Sequence, residues 1–91
     1  MPEVWIPTRL QSLTGGQQRV RVSGSTLRQV INNLEREFPG IKARLCDESG
    51  EDITPGIAAV IDGLTASAGL LEQVEENSEV HFLPAMEGGS A

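Results

Sequence analysis

The 91-residue chain is most informative in what it has little of: one cysteine, one histidine, one lysine, and no basic residue after Arg44. The single Cys46 excludes an internal disulfide framework and any multi-cysteine zinc or iron–sulfur site. With His81 as the only histidine, a metal centre would have to be nearly all carboxylate, and the acidic residues show no regular calcium-loop spacing. No metal site is expected. No apolar run approaches the roughly 20 residues of a membrane helix, so no membrane association is expected. The opening Met1-Pro2-Glu3-Val4-Trp5 has no basic region followed by an apolar stretch, which argues against a secretion signal and for a cytoplasmic location. The basic residues are few and confined to the first half: all seven Lys and Arg lie between Arg9 and Arg44, while ten of the thirteen Asp and Glu lie from Asp47 onward. Phosphate binding needs clustered cations, so nucleic acid is a poor partner for an acidic chain of net charge -6. A basic protein partner suits it better.

What is present is a globular composition, 38% hydrophobic and 22% charged, at a length that fits one domain. From Glu3 to Leu10, Val4 and Ile6 alternate with Glu3 and Trp5; Thr14-Gly15-Gly16 breaks the chain; Val20 and Val22 then alternate with Arg19 and Arg21. This pattern predicts a hairpin, with the glycine pair explained by turn chemistry. Ser25 or Thr26 is a plausible N-cap, and Leu27, Val30, Ile31, Leu34 and Phe38 recur at helical spacing up to Pro39-Gly40. Between Gly40 and Pro55 only Ile41, Leu45 and Ile53 interrupt a polar, turn-rich stretch, which predicts an irregular connection pinned to the core. Ile57 to Ile61 predicts a strand ending in a tight Asp62-Gly63 turn. A short Ala-Gly-Leu-Leu stretch predicts a single helical turn, and Val80 to Leu83 a last strand that Pro84 stops.

The predicted order is strand, strand, helix, strand, strand. A helix between a hairpin and later strands can bury its apolar stripe only by covering one face of a mixed sheet. The expected fold is α+β, a β-grasp of the ubiquitin-like kind with about four strands and one main helix. The β-grasp domain is expected over 1–84, with a flexible Gly-Gly tail over 85–91. The inward set includes Val4, Ile6, Val20, Val22, Leu27, Val30, Ile31, Leu34, Phe38, Val80 and Phe82. Alternation leaves Trp5, Arg19, Arg21, His81 and Leu83 on the uncovered face.

Several short pieces in this order are familiar: Ile6-Pro7-Thr8, the Thr14-Gly15-Gly16-Gln17 turn, Gly24-Ser25-Thr26-Leu27 at the helix start, Leu34-Glu35, and Leu83-Pro84-Ala85 followed by Gly88-Gly89. Together they resemble the MoaD/ThiS family of β-grasp sulfur carriers, and within it the CysO-type branch of cysteine biosynthesis. The resemblance implies a carrier with no catalytic residues and no stably bound cofactor. Its terminal glycine, here Gly89, would be adenylated with ATP by a ubiquitin-activating-type adenylyltransferase and converted to a thiocarboxylate. Gly88 would thread the tail through a narrow channel, where residues without Cβ let the backbone approach closely. The implied sulfur partners are a sulfurtransferase or a PLP-dependent cysteine synthase. Family members act through a free terminal glycine, whereas Gly89 is followed here by Ser90 and Ala91. Either the Gly89–Ser90 bond is cut first, as a JAMM-type zinc protease does for related carriers, or Ser90-Ala91 is not native.

Two alternatives share the fold: a molybdopterin synthase small subunit, and a ubiquitin-like modifier that forms isopeptide bonds. A β-grasp binding module with an inert tail is the blandest reading. Cys46 invites reading as a nucleophile and His81 as its base, but nothing brings them together in the sequence, and a lone Cys beside Leu45 reads as a small core hydrophobe. Trp5, Arg19, Arg21, His81 and Leu83 are candidates for partner docking, since Trp, Leu and Arg on one face are typical interface anchors. Glu72, Glu75, Glu76, Glu79 and Glu87 read first as solvated surface and second as a steering field toward a basic activating enzyme.

Overall fold

In the computed structural model, residues 1–84 are described. The strands are β1 (Glu3–Trp5), β2 (Arg19–Arg21), β3 (Ile57–Ile61), β4 (Leu64–Thr65) and β5 (Glu79–Pro84); the α-helices are α1 (Leu27–Glu37) and α2 (Ile41–Leu45). They form one mixed sheet in the order β2-β1-β5-β3-β4, with β1 and β5 parallel and every other pair antiparallel. The sheet therefore has five strands, where the sequence predicts about four. The extra one, β4, is two residues long and exposed, too short to leave an alternating pattern. It arises because Asp62 (φ 52) and Gly63 (φ 86) turn the chain straight back against β3.

The hairpin is present, since β1 pairs with β2. Its first strand ends at Trp5 rather than running to Leu10. Pro7 removes a ladder donor and starts a 3-10 segment, Thr8–Thr14, that buries Leu10 and Thr14. Gly15 (φ 66) and Gly16 (φ 87) close that segment and are not a two-residue hairpin loop. Helix α1 starts where the cap signal places it: the Thr26 side-chain oxygen accepts from the Gln29 N–H.

The irregular connection predicted after Gly40 contains α2 instead. No local cap residue announces it. Glu35, in the last turn of α1, reaches over so that its carboxylate accepts from the Gly40 and Lys42 N–H groups, at 3.0 and 2.9 Å. Ile41 and Leu45, one turn apart, are then both fully buried. Pro84 does not stop β5 but pairs with Ile57 at its end. The single turn predicted near Leu70 is a 3-10 turn, Gly69–Leu71.

The core lies between α1 and the sheet. All of the expected inward residues are buried except Phe38, which is half-buried against the cluster; Leu10, Ile41, Leu45, Cys46, Ala59, Ile61, Leu70 and Val74 join them. No helix among the described residues is long and apolar enough to cross a membrane.

Candidate functional site

The register of β2, β1 and β5 builds the open face. Trp5 sits opposite Arg19 on one side and His81 on the other. Direct cross-strand neighbours lie close enough to touch, and here they do. The Trp5 and His81 rings stack with centroids 5.2 Å apart and planes 10° from parallel, and the Arg19 guanidinium carbon lies 5.1 Å from the Trp5 ring centroid. A cation over an indole face gains about 0.5–1 kcal/mol at exposed sites. Arg19 also lies 3.9 Å from the Glu3 carboxylate, and His81 lies 3.7 Å from that of Glu79. Leu83, 47% exposed, follows His81 on the same face of β5, and Arg21, opposite Glu3, lies at the other end of the face on β2. The five residues expected on the uncovered face thus share it, and three form a continuous stack across three strands. Unforeseen in the sequence is the state of the Trp5 indole N–H, which is shut away from solvent with no acceptor among the described residues.

Cys46 and His81 are not brought together. Cys46 is buried after α2, where its chain bridges Ile53, and burial pushes its thiol pKa up, so the reactive thiolate is disfavoured. No group of three or more His, Cys, Asp or Glu among the described residues could hold a metal ion. The acidic residues do separate tasks. Glu72 accepts from the Ala68 N–H at the 3-10 turn, while Glu75, Glu76 and Glu79 are exposed. Asp62, which no sequence signal marked beyond its turn, ties the β3–β4 turn to β5: its carboxylate accepts from the Ser78 hydroxyl at 2.7 Å and the Glu79 N–H at 2.9 Å. Those hydrogen bonds hold its pKa below the usual carboxylate value. Glu87, Gly88, Gly89 and Ser90 lie outside the described residues.

The pieces that carried the family resemblance have structural tasks. Gly24 (φ 149) lies so near α1 that a Cβ there would come within 2.8 Å of both the backbone nitrogen and a side-chain methyl of Val30. The buried Thr14 hydroxyl donates within its turn, at 2.9 Å from the Gln17 carbonyl, and the Gln17 amide returns a bond to the Thr14 carbonyl. Glu35 caps α2. These residues hold the joints of the fold, and their spacing reports the fold as much as the function.

The family model described as the ThiS family matches residues 4–89. The sulfur carrier protein CysO of Mycobacterium tuberculosis is 39% identical over 93 aligned positions, covering 94% of this chain and 96% of that protein. The crystal structure of M. tuberculosis CysO superposes with a TM-score of 0.89 at 35% identity, covering 94% of this chain and all of that one. The CysO chain of the Amycolatopsis orientalis BexX/CysO complex gives 0.87 at 34% identity over 98% of this chain and all of that one. The mixed five-stranded sheet under α1 is the β-grasp fold of these relatives, and the chain belongs to the ThiS family.

Proposed function

We propose that this chain is a sulfur carrier of cysteine biosynthesis or of a closely related sulfur pathway, a substrate of other enzymes and not an enzyme itself. The observation that carries this reading is the 39% identity to a sulfur carrier protein along nearly the whole of both chains. The family match extends through Gly89, the residue on which the chemistry would fall.

The proposed sequence begins with hydrolysis of the Gly89–Ser90 peptide bond by a partner protease, for which a JAMM-type zinc enzyme has the required metal-bound hydroxide. The freed Gly89 carboxylate attacks the α-phosphate of ATP on an activating adenylyltransferase and releases pyrophosphate. Sulfide then displaces AMP and leaves a thiocarboxylate; where a persulfide is the donor, it displaces AMP to give an acyl disulfide, and a second thiol of the donor enzyme cuts the S–S bond, forming a disulfide and releasing the thiocarboxylate. That sulfur attacks an electrophile on the acceptor enzyme, a sulfurtransferase or a PLP-dependent cysteine synthase, and the glycine carboxyl is regenerated in a later hydrolysis. Gly88 lets the tail lie close to the nucleotide. The open face, with Trp5, Arg19, Arg21, His81 and Leu83, is the proposed docking surface for these partners. A CysO relative crystallised in complex with another protein, BexX, supports partner binding as a property of such carriers.

Intact-mass measurement of the protein recovered from its own cells tests the reading. Loss of Ser90 and Ala91, followed by replacement of one oxygen by sulfur, is the expected result. Recovery of only the unmodified full chain under sulfur demand would overturn it, and adducts of Gly89 on other proteins would replace it with the modifier reading.

A further inference from the structure

A groove adjoining the proposed docking face, and sharing Trp5, His81 and Leu83 with it, lies where β5 ends. There β1, the 3-10 segment Thr8–Thr14, α2, the 54–57 loop and β5 enclose a volume of about 620 Å3. Ile6, Leu10, Ile57 and Phe82 contribute its apolar lining. Arg9 and Arg44, from different elements, both line it, and among the described residues no Asp or Glu does. Both arginines are exposed, and neither forms an ion pair among the described residues. In a chain of net charge -6, the ionisable side chains that line this groove among the described residues are two arginines and His81.

That arrangement reverses what the linear sequence implies. Along the chain, the approach to the tail is a run of acids with no cation, which favours a basic partner. The fold carries Arg9 and Arg44, from the basic half, to the residues where the last strand finishes. The net charge acts weakly beyond a Debye length of about 8 Å at physiological salt, so at contact the two local cations dominate. Arginine holds carboxylates through two parallel hydrogen bonds and tolerates partial burial. The rim is exposed at Thr8, Arg9, Pro55 and Leu83, which makes the groove an open cleft that side chains can enter from a passing polypeptide.

We propose that this groove docks an acidic, apolar segment of a partner protein, with leucine or phenylalanine side chains against Pro7, Ile57 and Leu83 and carboxylates on Arg9 and Arg44. The groove takes in Trp5, His81 and Leu83 of the proposed docking face, so it deepens and rests on that part of the sulfur-carrier reading, while no activation of Gly89 enters. Failure of the mass experiment leaves the groove standing, and the reverse also holds.

The test is titration of the full chain with a short blocked peptide alternating Glu or Asp with Leu and Phe. Binding is followed by the fluorescence of Trp5, the only tryptophan, and by backbone amide shifts. The expected result is a saturable response with shifts at Arg9, Arg44, 54–57 and 81–84. Affinity should fall about tenfold or more, at least 1.4 kcal/mol, in the Arg9→Glu/Arg44→Glu double variant and should drop in high salt. Arg28→Glu on the exposed side of α1 should leave it unchanged. The proposal is overturned by equal affinity for the same peptide carrying Lys in place of its acids, by unchanged binding in the double variant, or by no saturable response. It is also overturned if octanoate saturates the site while the peptide adds nothing, or if the shifts appear with concentration alone, which would mark a contact between two copies.

Discussion

Two rows of residues one position apart divide the labour of this sheet. Val4 pairs with Val20 and Val80, and all three are buried under α1; the next row, Trp5 with Arg19 and His81, faces away from the core. The first row is selected by volume, because each side chain must fill space against a helix. The second is selected by what it presents outward: a stack of a guanidinium, an indole and an imidazole beside an exposed leucine. A three-residue strand thus serves the core on one side and the proposed docking face on the other, with the alternation of the backbone as the only separator. The widest test of that division compares leucines from the two sides. Leu34→Ala, fully buried in α1, should cost about 2–5 kcal/mol in urea unfolding. Leu83→Ala on the open face should stay within about 1 kcal/mol of the parent while weakening partner binding. Similar losses in both variants would mean that the open face is a second core.

A smaller effect distinguishes the joints of the covered side. The Glu35 carboxylate is held below its ordinary pKa mainly by the Gly40 and Lys42 N–H groups, and Asp62 is held low by Glu79 and Ser78. A depressed native pKa stabilises the fold above the unfolded value, and that contribution disappears as pH falls through the native one. The stability should therefore hold down to about pH 4.5, the ordinary value for Glu35, and decline below it. Glu35→Gln should lower the midpoint of urea unfolding at pH 7 by less than Leu34→Ala does and flatten the acid decline. An acid profile identical to the parent's would show that α2 starts without this carboxylate.

Glu35 also marks how far the sequence could be read. The helix α1, the inward set and the open face were legible because each rests on periodicity over several residues. The helix α2 was not, because its N-terminal cap comes from a side chain five residues upstream on another helix, and nothing local distinguishes Gly40-Ile41-Lys42 from a turn. The two-residue β4 was hidden for a related reason, since pairing with β3 creates it and its own pattern does not. At the candidate site, alternation placed Trp5, Arg19 and His81 on one face, but the register that stacks them and the approach of Arg9 and Arg44 to one groove are long-range facts. Gly24 is the intermediate case. Its place before a capped helix was visible, whereas the contact with Val30 that demands glycine depends on how the chain enters α1.

The finest distinction lies within Trp5 itself: its ring carries the open-face stack while its N–H is buried without an acceptor among the described residues. An unsatisfied buried donor costs about 1–3 kcal/mol, and the larger ring gains area and a cation–π contact of about 0.5–1 kcal/mol. The two contributions nearly cancel. Trp5→Phe should therefore change stability by no more than about 1 kcal/mol, because it removes the orphan donor together with part of the ring. Trp5→Ala should cost clearly more, since it also removes the surface on which His81 and Arg19 rest. Urea unfolding of the two variants side by side decides the matter. Equal losses would mean that the N–H, and not the ring, holds this position, and that the indole finds an acceptor in solution.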